Sequence, residues 1–159
     1  MDFIHYLNLP PVPEDIINNL NRNWNQYERK ADYGNGTYVW SDSFNEEINI
    51  WCQKNICSSM YFGFQIISGN LPKHKDVGTV SKLIYLVETG GPNATTNFYD
   101  NNDPTVKIGS FVIEPKRWHA LKVDTIHDVT DVDLTKTRFS ITGRLFGEEV
   151  DHNYPFCYN

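Results

Sequence analysis

A mainly β fold in one domain, a sandwich or double-sheet jelly roll with two helices at its N-terminal end, is predicted by three features of the sequence. From about residue 60 the chain breaks into short runs rich in β-branched and aromatic residues, punctuated by Gly, Pro, Asn and Asp every eight to twelve positions. No helical pattern alternates with those runs, which argues against βαβ units and a parallel sheet. Helical spacing is confined to the first third, and 159 residues suffice for one core but are short for two.

The elements follow in order. Pro13-Glu14-Asp15 is a helix start, and Ile16, Ile17, Leu20, Trp24 and Tyr27 recur at helical spacing behind it. Asp32 to Gly36 is turn chemistry, followed by Thr37 to Trp40 as a short strand. Ser43 with Glu46 reads as a capping box for a second helix, whose stripe of Phe44, Ile48 and Trp51 should lie on a sheet. Seven strands are then expected, over residues 61–67, 80–87, 95–99, 107–113, 118–123, 127–132 and 138–146. The division is thus a helical support of residues 1–58, a β core of 60–146 and a tail of 147–159.

Composition limits the function. A formal net charge of -6 provides no positive field for a phosphate backbone, so nucleic acid is not favoured as a partner. The N-terminus has neither a basic start nor a signal-length apolar run, and no stretch approaches a membrane span, so a cytoplasmic protein is expected. Three cysteines, Cys52, Cys57 and Cys157, form an odd set without metal-knuckle spacing, which fits reduced thiols better than a disulfide framework.

Chemistry concentrates in His74-Lys75-Asp76, in His127, and in Arg138-Phe139-Ser140. In an extended segment residues i and i+2 project on one face, so His74 and Asp76 can grip one ion together. His127 opens a strand about fifty residues later, far enough for the chain to cross the barrel and return. Two imidazoles and a carboxylate on one side of a metal leave the opposite positions open, as non-haem Fe(II) oxygenases require to admit co-substrate and O2. Zinc accepts the same ligands. Arg138 tilts the choice to iron: it lies eleven residues beyond His127 and shares a strand face with Ser140 and Thr142, against Phe139, Ile141 and Leu145 on the other. A guanidinium beside a hydroxyl is suited to a carboxylate, to which its planar fork donates two charge-assisted hydrogen bonds.

These residues resemble the double-stranded β-helix (cupin-like jelly roll) family of Fe(II)/2-oxoglutarate oxygenases, whose pattern is His-x-Asp, a distal His, and a basic residue some ten positions on, often within Arg-x-Ser. The likeness spans residues 61–146. Within it Leu83 to Leu86, Gly90-Gly91 and Thr96 to Phe98 resemble the strand, turn and strand of prolyl-hydroxylase-like members. The resemblance implies that His74, Asp76 and His127 ligate Fe(II), that Arg138 and Ser140 hold the far carboxylate of 2-oxoglutarate, and that the keto-acid end chelates the metal. O2 is then the oxidant and ascorbate a supporting reductant. A tyrosine common in such members just before His-x-Asp is missing, since Gln65-Ile66-Ile67 stands there; Tyr85 or Tyr61 is left to supply that hydroxyl. The prolyl hydroxylases also usually carry lysine where this chain has Arg138. Halogenases of this kind lack the carboxylate ligand, so Asp76 points to hydroxylation, with a peptidyl side chain favoured over a free small molecule. The short, Asn-rich chain is similar to bacteriophage oxygenases.

Rival readings remain. His119 competes for the distal ligand, but the nineteen residues from it to Arg138 are long for adjacent antiparallel strands, so it reads as packed or substrate-facing. Asp124 or Asp128 is a candidate to orient His127. Trp118 and Tyr99 are candidates for the substrate mouth, as are residues 33–40, 90–95, 101–103 and 151–159. A cupin-like metal-binding or ligand-binding module without turnover, or a zinc hydrolase, would use the same scaffold.

Overall fold

Alternation along the strands decides where each side chain goes. The computed structural model describes residues 2–20, 29–31 and 39–145. Along β11 (Thr137–Leu145) the polar set Arg138 and Ser140 and the apolar set Phe139 and Ile141 face opposite ways, the first into a cavity and the second into a core. The strand is central. It pairs antiparallel with β4 (Met60–Ser68) on one side and β6 (Ser81–Thr89) on the other.

Around that centre lies a seven-stranded sheet. With β1 (Ile4–Tyr6), β2 (Arg29–Ala31), β3 (Val39–Phe44) and β9 (Trp118–Lys122), its order is β1-β9-β6-β11-β4-β3-β2. A four-stranded sheet of β5 (Leu71–His74), β7 (Thr95–Tyr99), β8 (Lys107–Phe111) and β10 (His127–Thr130) runs in the order β5-β10-β7-β8. Two antiparallel sheets with non-consecutive neighbours make a mainly β fold of the jelly-roll kind, as expected.

The outer face of the large sheet is apolar, and the helices cover it. Phe62, Phe64, Leu83, Tyr85, Trp118, Phe139 and Ile141 pack with Ile16 and Ile17 of α1 (Glu14–Asn18) and with Ile48 and Cys52 of α2 (Glu46–Asn55). Asn49 of α2 adds a polar tie, its Oδ1 accepting from the Phe62 N–H at 2.9 Å. Between the sheets, Phe3 stacks on Phe98 at 4.6 Å within a cluster that includes Leu86, Ile113 and Leu121. A third cluster, Ile67, Leu71, Ala94, Val129 and Val132, lies beyond it. The cavity is lined by members of both.

The helical expectations need correction in detail. α1 ends at Asn18, and Trp24 and Tyr27 lie outside the described residues. The cap of α2 is Asn45, whose Oδ1 accepts from the Ile48 N–H at 2.9 Å; Ser43 belongs to β3 and cannot serve. Ile48 and Trp51 do pack on the core, joined by the buried Asn49 and Cys52, whereas Phe44 is in β3 and stacks on Tyr61. Asn45→Ala is expected to lower unfolding free energy by about 1 kcal/mol, read as a shifted denaturant midpoint at constant slope. An unshifted midpoint would show the cap to be idle.

Of the cysteines, Cys57 is disulfide-bonded, which corrects the expectation of reduced thiols. Cys52 is free and fully buried, and burial pushes its thiol up to about 12, so it is inert packing. No helix among the described residues is long and apolar enough to cross a membrane.

Candidate metal centre

Strand pairing brings the two distant segments together. His74 ends β5, His127 opens β10, and the antiparallel register sets them opposite one another with ring centroids 4.3 Å apart. Each imidazole is oriented by its own chain. His74 Nδ1–H donates to the Pro72 carbonyl at 2.7 Å and His127 Nδ1–H to the Thr125 carbonyl at 2.8 Å. Both bonds select the tautomer whose Nε2 carries the lone pair a metal takes.

Asp76 lies two residues past His74, beyond the strand end, and is tied down by its N–H donating to the Val123 carbonyl at 2.9 Å. Its Oδ1 is 3.8 Å from His74 Nε2, and the three donor atoms all lie within 4.8 Å of one another. An ion with bonds of about 2.1 Å spans donors up to roughly 4 Å apart, so a modest closing of the widest separation completes the set. Burial, and secondly the charge of His74, hold His127 down to about 4, so at neutral pH no proton competes for its Nε2. The Lys82 ammonium lies against Asp76 Oδ2 as an ion pair rather than along a hydrogen-bond direction, leaving Oδ1 on the side of the imidazoles. Two imidazole nitrogens and one carboxylate oxygen are a donor set that fits a divalent transition metal.

The triad faces a cavity of about 530 Å³ between the sheets, lined also by Gln65, Thr96, His119, Arg138 and Ser140. That volume suits a small organic ligand. Arg138 is 7% exposed, and burial pulls its guanidinium down to about 10, still charged at neutral pH. Its Nη1 donates to the Thr89 carbonyl at 3.0 Å and its Nη2 to Thr96 Oγ1 at 3.3 Å; among the described residues no carboxylate pairs with it. Thr96 stands opposite Val129, two residues along β10 from His127. Two residues of extended strand span about 7 Å, so the backbone position that Arg138 reaches through Thr96 is offset from His127 by a length comparable with a five-carbon diacid. Gly90, at φ +78°, permits this arrangement, because a side chain there would meet Arg138 Cβ and Val132 Cγ1 at 3.1 Å.

His119 is fully buried and lines the same cavity. Its Nδ1–H donates to the Arg117 carbonyl at 3.3 Å, and its Nε2 has no hydrogen-bond partner among the described residues. It belongs to β9 in the large sheet and is not a member of the triad, in keeping with its reading as packed or substrate-facing. Burial first, and the Arg138 charge among the lesser causes, push it down to about 4 from an ordinary 6.5. Between those two values the unfolded chain takes up a proton that the folded chain refuses. Stability therefore falls as pH drops through that window, by roughly 3 kcal/mol in all for one such histidine. His119→Gln is expected to flatten the acid limb of a plot of denaturant midpoint against pH; an unchanged limb would mean that His119 titrates normally.

Other expected site residues lie elsewhere. Ser140 lines the cavity beside Arg138. Tyr85 does not: it is 1% exposed in the core under the helices, because it shares its strand face with Leu83 and Val87 while Ile84 and Leu86 take the cavity side. Tyr61 stacks on Phe44 outside the cavity lining. Neither Asp124 nor Asp128 orients His127. Asp124 pairs with Lys122, while Asp128 accepts from Asn97 Nδ2 and Tyr99 Oη, so Tyr99 is turned from the mouth as well. Trp118 is core, its Nε1–H donating to the Pro10 carbonyl at 2.9 Å. Residues 90–95 and 101–103 are absent from the lining, and most of 33–40 and all of 151–159 lie outside the described residues. The mouth segment missed in the sequence is 75–82, with Lys75, Val77 and Lys82; a lysine in register with Ile84 and Leu86 on one strand face was its available signal.

A jelly-roll scaffold with a His-x-Asp and distal His cluster facing a buried arginine is the class that fold and site define. No family model matches the chain, and no curated protein matches it. Among solved structures it is similar to the hydroxypropylphosphonic acid epoxidase from S. wedmorenis, at 10% identity and a TM-score of 0.41, over 69% of this chain and 51% of that one. A structure of Fe(II)-HppE with the alternative substrate (S)-1-HPP matches at 10% identity and a TM-score of 0.43, over 72% and 53%. The chain thus spans about half the length of these structures. So distant a likeness carries no argument about activity, which has to come from the side chains.

Proposed function

We propose that this chain is a non-haem Fe(II) and 2-oxoglutarate dependent dioxygenase that hydroxylates a substrate admitted past residues 75–82. The observation that carries the reading is one cavity holding both the His74, Asp76 and His127 cluster and a buried guanidinium with no carboxylate partner among the described residues. A buried cation without a counter-ion is costly. An anionic ligand satisfies it.

His74, Asp76 and His127 would hold the iron, which with 2-oxoglutarate and O2 supplies the oxidising power for C–H hydroxylation as succinate and CO2 leave. The protein's part is positional. Arg138 anchors the far carboxylate, with Ser140 beside it on the same face, and the Thr89 carbonyl and Thr96 hydroxyl hold the guanidinium in place. Apolar neighbours Ile67, Leu86, Leu121 and Val129 line the rest of the chamber and limit its water. The preference for a peptidyl substrate rested on the resemblance of residues 85–98, and with Tyr85 facing the helices it loses that support.

The test is succinate release. Protein supplied with Fe(II), 2-oxoglutarate, ascorbate and O2 is expected to form succinate, and to stop on chelation or on removal of O2. Iron and 2-oxoglutarate bound without succinate would favour the non-catalytic module, and turnover on Zn(II) without O2 a hydrolase.

A further inference from the structure

The charge inventory of the cavity points beyond the co-substrate. In a chain of formal net charge -6, the lining carries three cationic side chains, Lys75, Lys82 and Arg138, against the single carboxylate of Asp76. Counting lysine, arginine and carboxylate side chains alone, the chamber has two positive charges in excess, four once a divalent ion binds, and two still when a dianionic co-substrate is in place. A cleft with low-dielectric walls focuses such a field and selects the sign of what enters it.

The cations are also graded in depth. Arg138 is buried, Lys82 is 22% exposed, and Lys75 is exposed at the mouth. Lys82 is engaged with Asp76 Oδ2, but an ion bound at Oδ1 shares that carboxylate's single charge and leaves the ammonium, still beside Oδ2, able to take a second anion. His119, another residue of the chamber lining, adds a second sign, since its Nε2 is buried and has no hydrogen-bond partner among the described residues.

Resting on the oxygenase reading above, we infer that the primary substrate is a small organic anion whose acid group is held by Lys82 and Lys75, rather than a neutral residue of a peptide. Lys82 is then a specificity-determining residue. It both steadies the metal-binding carboxylate and receives the substrate's charge.

The experiment compares two probes of one shape, butyrate and butyramide, by saturation-transfer NMR on the Zn(II)-loaded protein saturated with N-oxalylglycine, which fills the Arg138 end. Butyrate is expected to bind about tenfold more tightly than butyramide. That preference should vanish in Lys82→Gln, weaken in Lys75→Gln, and persist in Lys122→Gln, whose lysine pairs with Asp124 away from the cavity. Zinc stoichiometry is measured for each variant, and Lys75→Gln keeps the test decisive if loss of Lys82 disturbs the metal. Equal binding of the two probes, or a preference that survives both cavity variants, overturns the inference. If N-oxalylglycine itself fails to bind, the co-substrate reading is what has failed. The same comparison without it then decides the anion preference by its dependence on Lys82.

Discussion

Replacing His127 with alanine is expected to lower affinity for Mn(II) by more than about 100-fold, beyond what loss of a ligand's outer hydrogen-bond partner costs. The reason is geometric. His127 is set opposite His74 by strand register, its Nδ1–H is committed to the Thr125 carbonyl, and it is only 4% exposed, so its Nε2 is a fixed protein donor that a mobile cavity water does not replace. Removing it leaves one imidazole and one carboxylate, too few to hold the ion against water. His119→Ala is the matched control: its ring is equally buried but lies in the other sheet and outside the triad, so metal affinity should not change. Isothermal titration of both variants decides the matter. Normal binding by His127→Ala beside lost binding by His119→Ala would overturn the assignment of the distal ligand.

Arg138→Met is expected to produce an unusual pair of effects. Affinity for N-oxalylglycine should fall by about 100- to 4,000-fold, since truncating one partner of a buried, charge-assisted pair costs about 3–5 kcal/mol. Folding stability, by contrast, should be unchanged or higher. Among the described residues the guanidinium has only the Thr89 carbonyl and the Thr96 hydroxyl as hydrogen-bond partners, and its charge is desolvated without a counter-ion. Methionine fills similar space without that cost. Arg138→Lys keeps the charge but not the fork, and should recover part of the affinity. A destabilised Arg138→Met protein that still bound N-oxalylglycine normally would show that the arginine is structural.

Much of this site was legible because it depends on alternation and residue type. Arg138 and Ser140 opposing Phe139 and Ile141 is a period-2 signal in a half-polar strand, and Thr95 to Tyr99 was delimited as β7 is observed because turn residues flank it. What failed did so for physical reasons. Leu71-Pro72-Lys73-His74 reads as loop, yet it forms an edge strand, where proline's missing N–H costs nothing. Ile4–Tyr6 is too short to show alternation. Leu83 to Val87 is apolar on both faces, so nothing in its pattern tells which face meets the helices, and Tyr85 was placed on the wrong side. Lys82 escaped notice because a lysine near a strand end normally reads as solvated.

The most direct measurement is anomalous diffraction from crystals of the full chain grown with Mn(II). One peak per chain among His74 Nε2, His127 Nε2 and Asp76 Oδ1, with the Lys82 ammonium still beside Oδ2, is the result expected. A peak elsewhere, or none at saturating Mn(II) with these side chains ordered, would contradict the metal centre and with it the oxygenase reading.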